Sequence, residues 1–121
     1  MRYLLVGLLG ALAALARYSA TLAVGVRSFP YATLAVNVTG AFLFGVVITL
    51  TADGRIPKDL GTAVTVGFLG AYTTFSTFGW ETFVLIRSHR INVAASYAGL
   101  SVALGVAAAG TGHALARAAT T

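Results

Sequence analysis

The sequence predicts an all-α membrane protein, a single transmembrane domain spanning residues 1–121, with four membrane helices of which the third is broken. Of the 121 residues, 58% are hydrophobic and only 9% are charged, whereas a soluble domain is about 25% charged. Four long apolar segments follow one another, separated by short polar or basic stretches. The third segment places four hydroxyl residues within positions 73–77, close to glycines, a composition that disfavours a continuous helix.

The spans are set by where charged and turn-forming residues interrupt the apolar runs. At about 1.5 Å per residue, each run is long enough to cross a hydrocarbon core of roughly 30 Å. The predicted spans are about 3–26, about 31–51, about 60–86 and about 91–116. The third has length to spare, which leaves room for an interruption.

The third segment contains four hydroxyl side chains between Gly70 and Gly79: Thr73, Thr74, Ser76 and Thr77. Polar groups without partners are costly in lipid, so this stretch is expected to face protein or water. We predict a helix break near 70–74, where main-chain carbonyls lose their helical partners and become free to bind a cation. A plain helix–helix contact made of small and aromatic residues is the alternative.

Beyond the break, two aromatic residues and one acidic residue follow at three-residue intervals, which would place them on the same face of a helix. Phe75 and Phe78 are three residues apart, which places them on the same side of a resumed helix, and Glu81 continues that side.

Two polar residues interrupt the first two segments. Arg17 lies towards the far end of the first, where it would either reach the interface with its charged end or stand as a cation at the mouth of an aqueous vestibule. Asn37 lies inside the second and is expected to face the protein interior, either as a donor of hydrogen bonds or as a bridge between two helices. Ala41 and Gly45 permit a close helix approach.

The fourth segment carries two four-residue repeats. Tyr97, Ser101 and Gly105 form a polar or small stripe, with Ser101 either exposed to a pathway or bonded back to its own helix. A second stripe of small residues is predicted to support close packing: Ala95, Gly99 and Ala103.

The composition excludes several classes of function. There is no cysteine, and there are only two histidines and three acidic residues, which leaves no thiolate chemistry and too few ligands for most metal-dependent or hydrolytic sites. We therefore expect no enzymatic activity and no catalytic residues. The net charge of +5 resides at segment ends, which favours anchoring to the lipid bilayer over binding of nucleic acid.

The basic residues are balanced between the two ends of the predicted bundle. One end carries Arg2, Arg55, Lys58 and Arg117, and the other carries Arg27, Arg87, Arg90 and Arg17. Orientation in a membrane follows an asymmetry of Lys and Arg between the two sides, and here there is almost none. We therefore expect insertion in both orientations, and an antiparallel, dual-topology homodimer in which the partner is a second copy of the chain.

Three blocks of the sequence, in order, resemble the Fluc (CrcB) family of fluoride channels. They are Gly7-x-x-Gly10-Ala11 leading to Ala16-Arg17-Tyr18, then Thr33 to Phe42, then Gly67 to Gly70 with Thr73-Thr74-Phe75-Ser76-Thr77-Phe78 and Glu81. The resemblance covers essentially the whole chain and is weakest in the fourth segment.

The resemblance implies a passive, fluoride-selective channel in the cell membrane, with multi-pass subunits and two pores in an antiparallel homodimer. It implies a structural sodium ion (Na+) at the dimer centre, held by the main-chain carbonyls of Gly70 and Thr73. It also implies a fluoride pathway along Asn37, Phe75, Ser76, Thr77, Phe78, Glu81, Tyr97 and Ser101, with Arg17 in the vestibule. Gly105 stands where a further hydroxyl is expected.

Two other functions remain open from the residues alone. A small dual-topology, proton-coupled multidrug transporter needs a carboxylate buried in the membrane, and Glu81 is the one candidate. A non-transporting membrane subunit would not require so many hydroxyls in the third segment.

Overall fold

The computed structural model describes residues 1–120, and within that range the chain is helical and contains no strand. The helices are α1 (Arg2–Val24), α2 (Tyr31–Ala52), α3 (Lys58–Thr62), a π-helix (Ala63–Leu69), α4 (Gly70–Tyr72), α5 (Phe75–Arg87) and α6 (Ile91–Ala118).

Three helices are long and apolar enough to cross a membrane by themselves, namely α1, α2 and α6. Their bounds lie close to those predicted for the first, second and fourth spans. The remaining predicted span corresponds to everything between Lys58 and Arg87, and it is divided into shorter helices. That these shorter helices cross the membrane together stays a prediction.

The interruption of the third segment is narrower than the predicted stretch of 70–74. Gly70 keeps helical dihedral angles, and the amide of Thr73 still donates to the carbonyl of Leu69 at 3.0 Å. Only Thr73 and Thr74 are extended, with ψ angles of 157° and 114°. The glycine alone therefore does not end the helix, and the break begins at the first of the two threonines.

The π-helix, which the sequence did not predict, packs closely against α1. A Cβ added at Gly67 would lie 2.7 Å from the carbonyl oxygen of Val6, and one added at Gly10 would lie 3.5 Å from the carbonyl oxygen of Gly67. Glycines on both helices thus bring the two backbones together, as small residues do in membrane proteins.

Helices α2 and α6 cross at a second pair of glycines. A Cβ on Gly45 would collide with the carbonyl oxygen of Ala109, and a Cβ on Gly112 would collide with that of Phe42. The close approach predicted at Gly45 is confirmed. Gly112, its counterpart on α6, was not singled out from the sequence.

The predicted packing role of the small-residue stripe on α6 is wrong within a single chain. Ala95, Gly99 and Ala103 are all exposed, and nothing lies within 4 Å of a Cβ built on Gly99. Tyr97 instead faces the interior and is 0% exposed, next to Leu85 and Ala94. In its first turns α6 is therefore buried through Ala94 and Tyr97, and further along through Gly112 and Ala116.

Candidate functional site

The side-chain amide of Asn37 holds the break in the third segment. Its Oδ1 accepts from the main-chain amide of Thr74 at 2.7 Å, and its Nδ2 donates to the main-chain carbonyl of the same residue at 3.1 Å. A buried main chain that leaves a helix must find other partners. Asn37 supplies the partner that the Thr74 amide lacks and a further donor for the Thr74 carbonyl, so the predicted bridge between two helices is present. One N–H of the Asn37 amide is left for other use.

Thr74 caps the helix that follows the break. Its Oγ1 accepts from the amide of Thr77 at 3.2 Å and donates to the Thr77 hydroxyl at 3.0 Å, while the Ser76 hydroxyl lies 3.4 Å away. Thr74 was predicted to lie at the break, but not to cap the next helix. A threonine three residues before Thr77, after a predicted break, is the ordinary pattern of an N-cap and would have identified it.

The same hydrogen bonds release two main-chain carbonyls. In a continuous helix the amides of Thr74 and Thr77 would donate to the carbonyls of Gly70 and Thr73. Here they donate to Asn37 Oδ1 and Thr74 Oγ1 instead. Carbonyls freed in this way are suited to a hard monovalent cation, and residues 1–120 contain no group of three or more His, Cys, Asp or Glu side chains placed to hold a metal.

A groove of about 480 Å³, called here the central groove, lies beside the break. It brings together several of the predicted site residues with apolar neighbours, and its lining includes Asn37, Thr73, Thr74, Phe75, Phe78 and Ser101. Ser101 Oγ is buried and has no hydrogen-bond partner, the one such side-chain atom in the described part of the chain. The alternative in which Ser101 bonds back to its own helix is therefore wrong.

Two phenylalanine rings form one wall of the central groove. The centroids of Phe75 and Phe78 are 5.8 Å apart, as their spacing predicts, and Phe78 also lies 5.1 Å from the ring of Tyr97. Phe75 is 83% exposed in the single chain. An aromatic ring at that position needs lipid or protein to cover it.

Glu81 is held by two hydroxyls from other helices. Its Oε1 accepts from Thr33 at 2.9 Å, and its Oε2 accepts from the phenol of Tyr97 at 2.6 Å. Thr33 was missed as a site residue because its partner is far away in the sequence. Tyr97 is completely buried and does not line the central groove, although its ring contacts Phe78, which does.

Arg17 lies in a smaller groove of about 300 Å³, which it lines together with Thr33, Thr74 and Thr77. The arginine is half-buried, and no carboxylate lies within ion-pair distance of it among residues 1–120. Ser76, in contrast, is exposed and lines neither this groove nor the central one.

Residues 4–113 match the family model described as CrcB-like protein, Camphor Resistance (CrcB). The chain belongs to this family. The CrcB-like chain is 46% identical over 112 residues to the fluoride-specific ion channel FluC of Acidobacterium capsulatum, covering 89% of this chain and 90% of that protein. It is 43% identical over 122 residues to the FluC of Solibacter usitatus, covering 97% and 99%, and 38% identical over 117 residues to FluC 1 of Bacillus cereus, covering 93% and 85%.

Family membership confirms the resemblance found in the sequence. Together with the three long apolar helices, it identifies the CrcB-like chain as a multi-pass membrane protein.

Proposed function

We propose that this protein is a fluoride-selective channel that lets fluoride leave the cell passively, through two pores of an antiparallel homodimer. The observation that carries the proposal is the central groove, where a buried, unpartnered hydroxyl of Ser101 meets the rings of Phe75 and Phe78. The curated relatives of similar length are named fluoride-specific ion channels.

The chemistry of the groove suits a small, strongly hydrated anion. Hydroxyls and amides donate hydrogen bonds that replace water, while a full positive charge in the narrowest part would hold the ion too tightly to leave. The electropositive edges of Phe75 and Phe78 add contacts of about 1 kcal/mol each. Several weak donors in sequence allow both entry and exit.

The two helix ends at the break support opposite charges. The carboxyl end of α4 carries partial negative charge and the amino end of α5 partial positive charge. Gly70 and Thr73 offer free carbonyls at the first of these ends, and we propose that they hold a structural sodium ion there. When bound, the ion would supply positive charge and join main-chain carbonyls of two copies.

An antiparallel partner accounts for the exposed face around the break. Gly70, Phe75 and Ser76 are exposed in the single chain. A second copy inserted in the opposite direction would cover them, and the balanced distribution of Lys and Arg permits that insertion.

A proton-coupled drug transporter is disfavoured by the position of Glu81. Both oxygens of this carboxylate accept hydrogen bonds from Thr33 and Tyr97, which leaves it less available to exchange a proton for a cationic drug. The prediction that the chain is not an enzyme agrees with a family whose curated members are named as channels.

The decisive experiment is fluoride efflux from liposomes that contain the purified protein. Fluoride is expected to leave rapidly once a potassium ionophore relieves the charge imbalance, and chloride in parallel liposomes is expected to stay. Equal release of both anions, or none of fluoride, would refute the proposal.

A further inference from the structure

A third groove, called here the terminal groove, lies at the end of the bundle where α1 and α5 finish and α2 and α6 begin. Its volume is about 500 Å³. Arg27 and Arg90 line it, and so do Thr33, Thr77 and Glu81. None of the predictions from the sequence gave either arginine a role beyond its place at the membrane surface.

Shared hydroxyl residues connect the terminal groove to the groove of Arg17 and, through it, to the central groove. Thr33 and Thr77 line both the terminal groove and the groove of Arg17, and Thr74 lines both the groove of Arg17 and the central groove. A line of hydroxyls therefore runs from the break to the surface occupied by Arg27 and Arg90.

The two arginines keep their charge uncompensated. Arg27 Nε donates to the carbonyl of Val24 at 3.1 Å, and Arg90 Nη2 donates to the carbonyl of Ser28 at 2.6 Å. These carbonyls fix the guanidinium groups without neutralising them. No carboxylate lies within ion-pair distance of either arginine in residues 1–120.

The opposite end of the bundle differs in this respect. There Arg2 pairs with Asp59 at 2.6 Å, and Arg117 pairs with Asp53 at 3.3 Å. Arg55 and Lys58 at that end have no carboxylate within ion-pair distance among residues 1–120, so two basic residues are unpaired there. Four are unpaired at the end that holds the terminal groove: Arg17, Arg27, Arg87 and Arg90.

Glu81 lines the terminal groove together with these two arginines. Its two oxygens accept from the hydroxyls of Thr33 and Tyr97, which hold the side chain on the line of hydroxyls. A carboxylate there would repel an approaching anion. A cationic rim on the same groove offsets that repulsion and raises the local concentration of anions.

We infer that Arg27 and Arg90 form the cationic mouth through which a small inorganic anion enters or leaves the pathway at this end. The inference rests on the proposed channel function and adds two residues to it. Since steering by exposed charge is screened by salt, the contribution of these arginines is large at low ionic strength and small at high ionic strength.

The test compares fluoride efflux of four proteins in zwitterionic liposomes: the wild type, Arg27→Gln/Arg90→Gln, Arg27→Lys/Arg90→Lys and Arg87→Gln. Arg87 is exposed at the same end but does not line the terminal groove. At about 0.01 M salt the double glutamine variant is expected to lose about three- to tenfold in flux. At about 1 M salt, where the Debye length is about 3 Å, the loss is expected to fall below about twofold.

The lysine variant is expected to keep most of the flux, because it keeps the charge, and Arg87→Gln is expected to match the wild type. A glutamine loss that does not depend on salt, or an equal loss in the lysine variant, would overturn the inference, since either would indicate a structural role. A double glutamine variant that conducts like the wild type would do the same while leaving the channel function intact. Absence of fluoride flux in the wild type would instead overturn the proposed function.

Discussion

Asn37 is bonded through both ends of its side-chain amide to the main chain of a single residue, Thr74, with distances of 2.7 and 3.1 Å. This pair joins α2 to the break in the third segment. It also frees the Gly70 carbonyl, because the Thr74 amide is diverted to Asn37. Asn37 therefore contributes to both the break and the free carbonyl, while the cap made by Thr74 begins the helix that carries Phe75.

Asn37→Ala is expected to destabilise the protein by about 1–3 kcal/mol, because it leaves the buried main-chain amide of Thr74 without its partner and removes a hydrogen bond to the Thr74 carbonyl. Chemical unfolding in detergent measures the loss. Asn92→Ala is the matched control, since Asn92 is exposed on the first turn of α6, and it is expected to change stability by less than about 0.5 kcal/mol. Equal stability of the two variants would contradict the role of Asn37.

The long helices were predictable because hydropathy alone marks them. The limits of α1, α2 and α6 follow from where Gly25, Pro30, Asp53 and Arg90 interrupt apolar runs. That the third segment contains a break was predictable, because hydroxyl residues lie close to glycines there. Its exact position was not, since Gly70 continues a helix as readily as it ends one and the deciding contact comes from Asn37.

Other features depend on tertiary contacts that leave no local signal. The π-helix has no periodicity that separates it from an α-helix over so few residues, and it is fitted to α1 at Gly67. Thr33 joins the site only through a hydrogen bond to Glu81 in a distant helix. The stripe of Ala95, Gly99 and Ala103 on α6 packs against nothing in the single chain. Composition shows that a helix face is suited to close packing, but it does not show whether the partner lies in the same chain.

Gly112→Ala is expected to destabilise the fold by about 1–3 kcal/mol, because the added methyl group meets the main-chain carbonyl of Phe42, which cannot move freely. Gly110→Ala is the matched control on the same helix. Nothing lies within 4 Å of a Cβ at Gly110, so alanine there is expected to be neutral or to stabilise by about 0.5–1 kcal/mol. Thermal unfolding of both variants in the same detergent checks the difference, and a Gly110 variant as unstable as the Gly112 variant would refute the close crossing of α2 and α6.

Phe75→Ile and Phe78→Ile are each expected to abolish fluoride efflux while the protein still elutes as a folded dimer, because isoleucine keeps the apolar volume but lacks an electropositive ring edge. Phe83→Ile is the control, since Phe83 lies further along α5 and does not line the central groove. Unchanged efflux in both pathway variants would remove the two rings from the route of the ion.

Dual topology is testable with one introduced cysteine, because the chain has none of its own. Ala119→Cys places a thiol at an exposed position beyond α6. A membrane-impermeant maleimide applied to intact cells is expected to label about half of the copies, and the remainder only after permeabilisation, as the balance of Lys and Arg requires. Labelling of all copies from one side would exclude an antiparallel dimer.

Ser101→Ala separates stability from function. The serine hydroxyl is buried without a partner, so its removal is expected to leave the free energy of unfolding unchanged or to raise it by about 1 kcal/mol. If the hydroxyl donates to fluoride in the central groove, the same variant is expected to lose at least about tenfold in efflux, because one hydrogen bond to a charged group contributes about 1.5–3 kcal/mol. Ser96→Ala, on the same helix at an exposed position, is the control for both measurements. A Ser101 variant with full efflux would show that the unpartnered hydroxyl does not bind the ion. A loss of efflux without a loss of stability would show a role in transport, because removing a serine with only a structural role would lower stability.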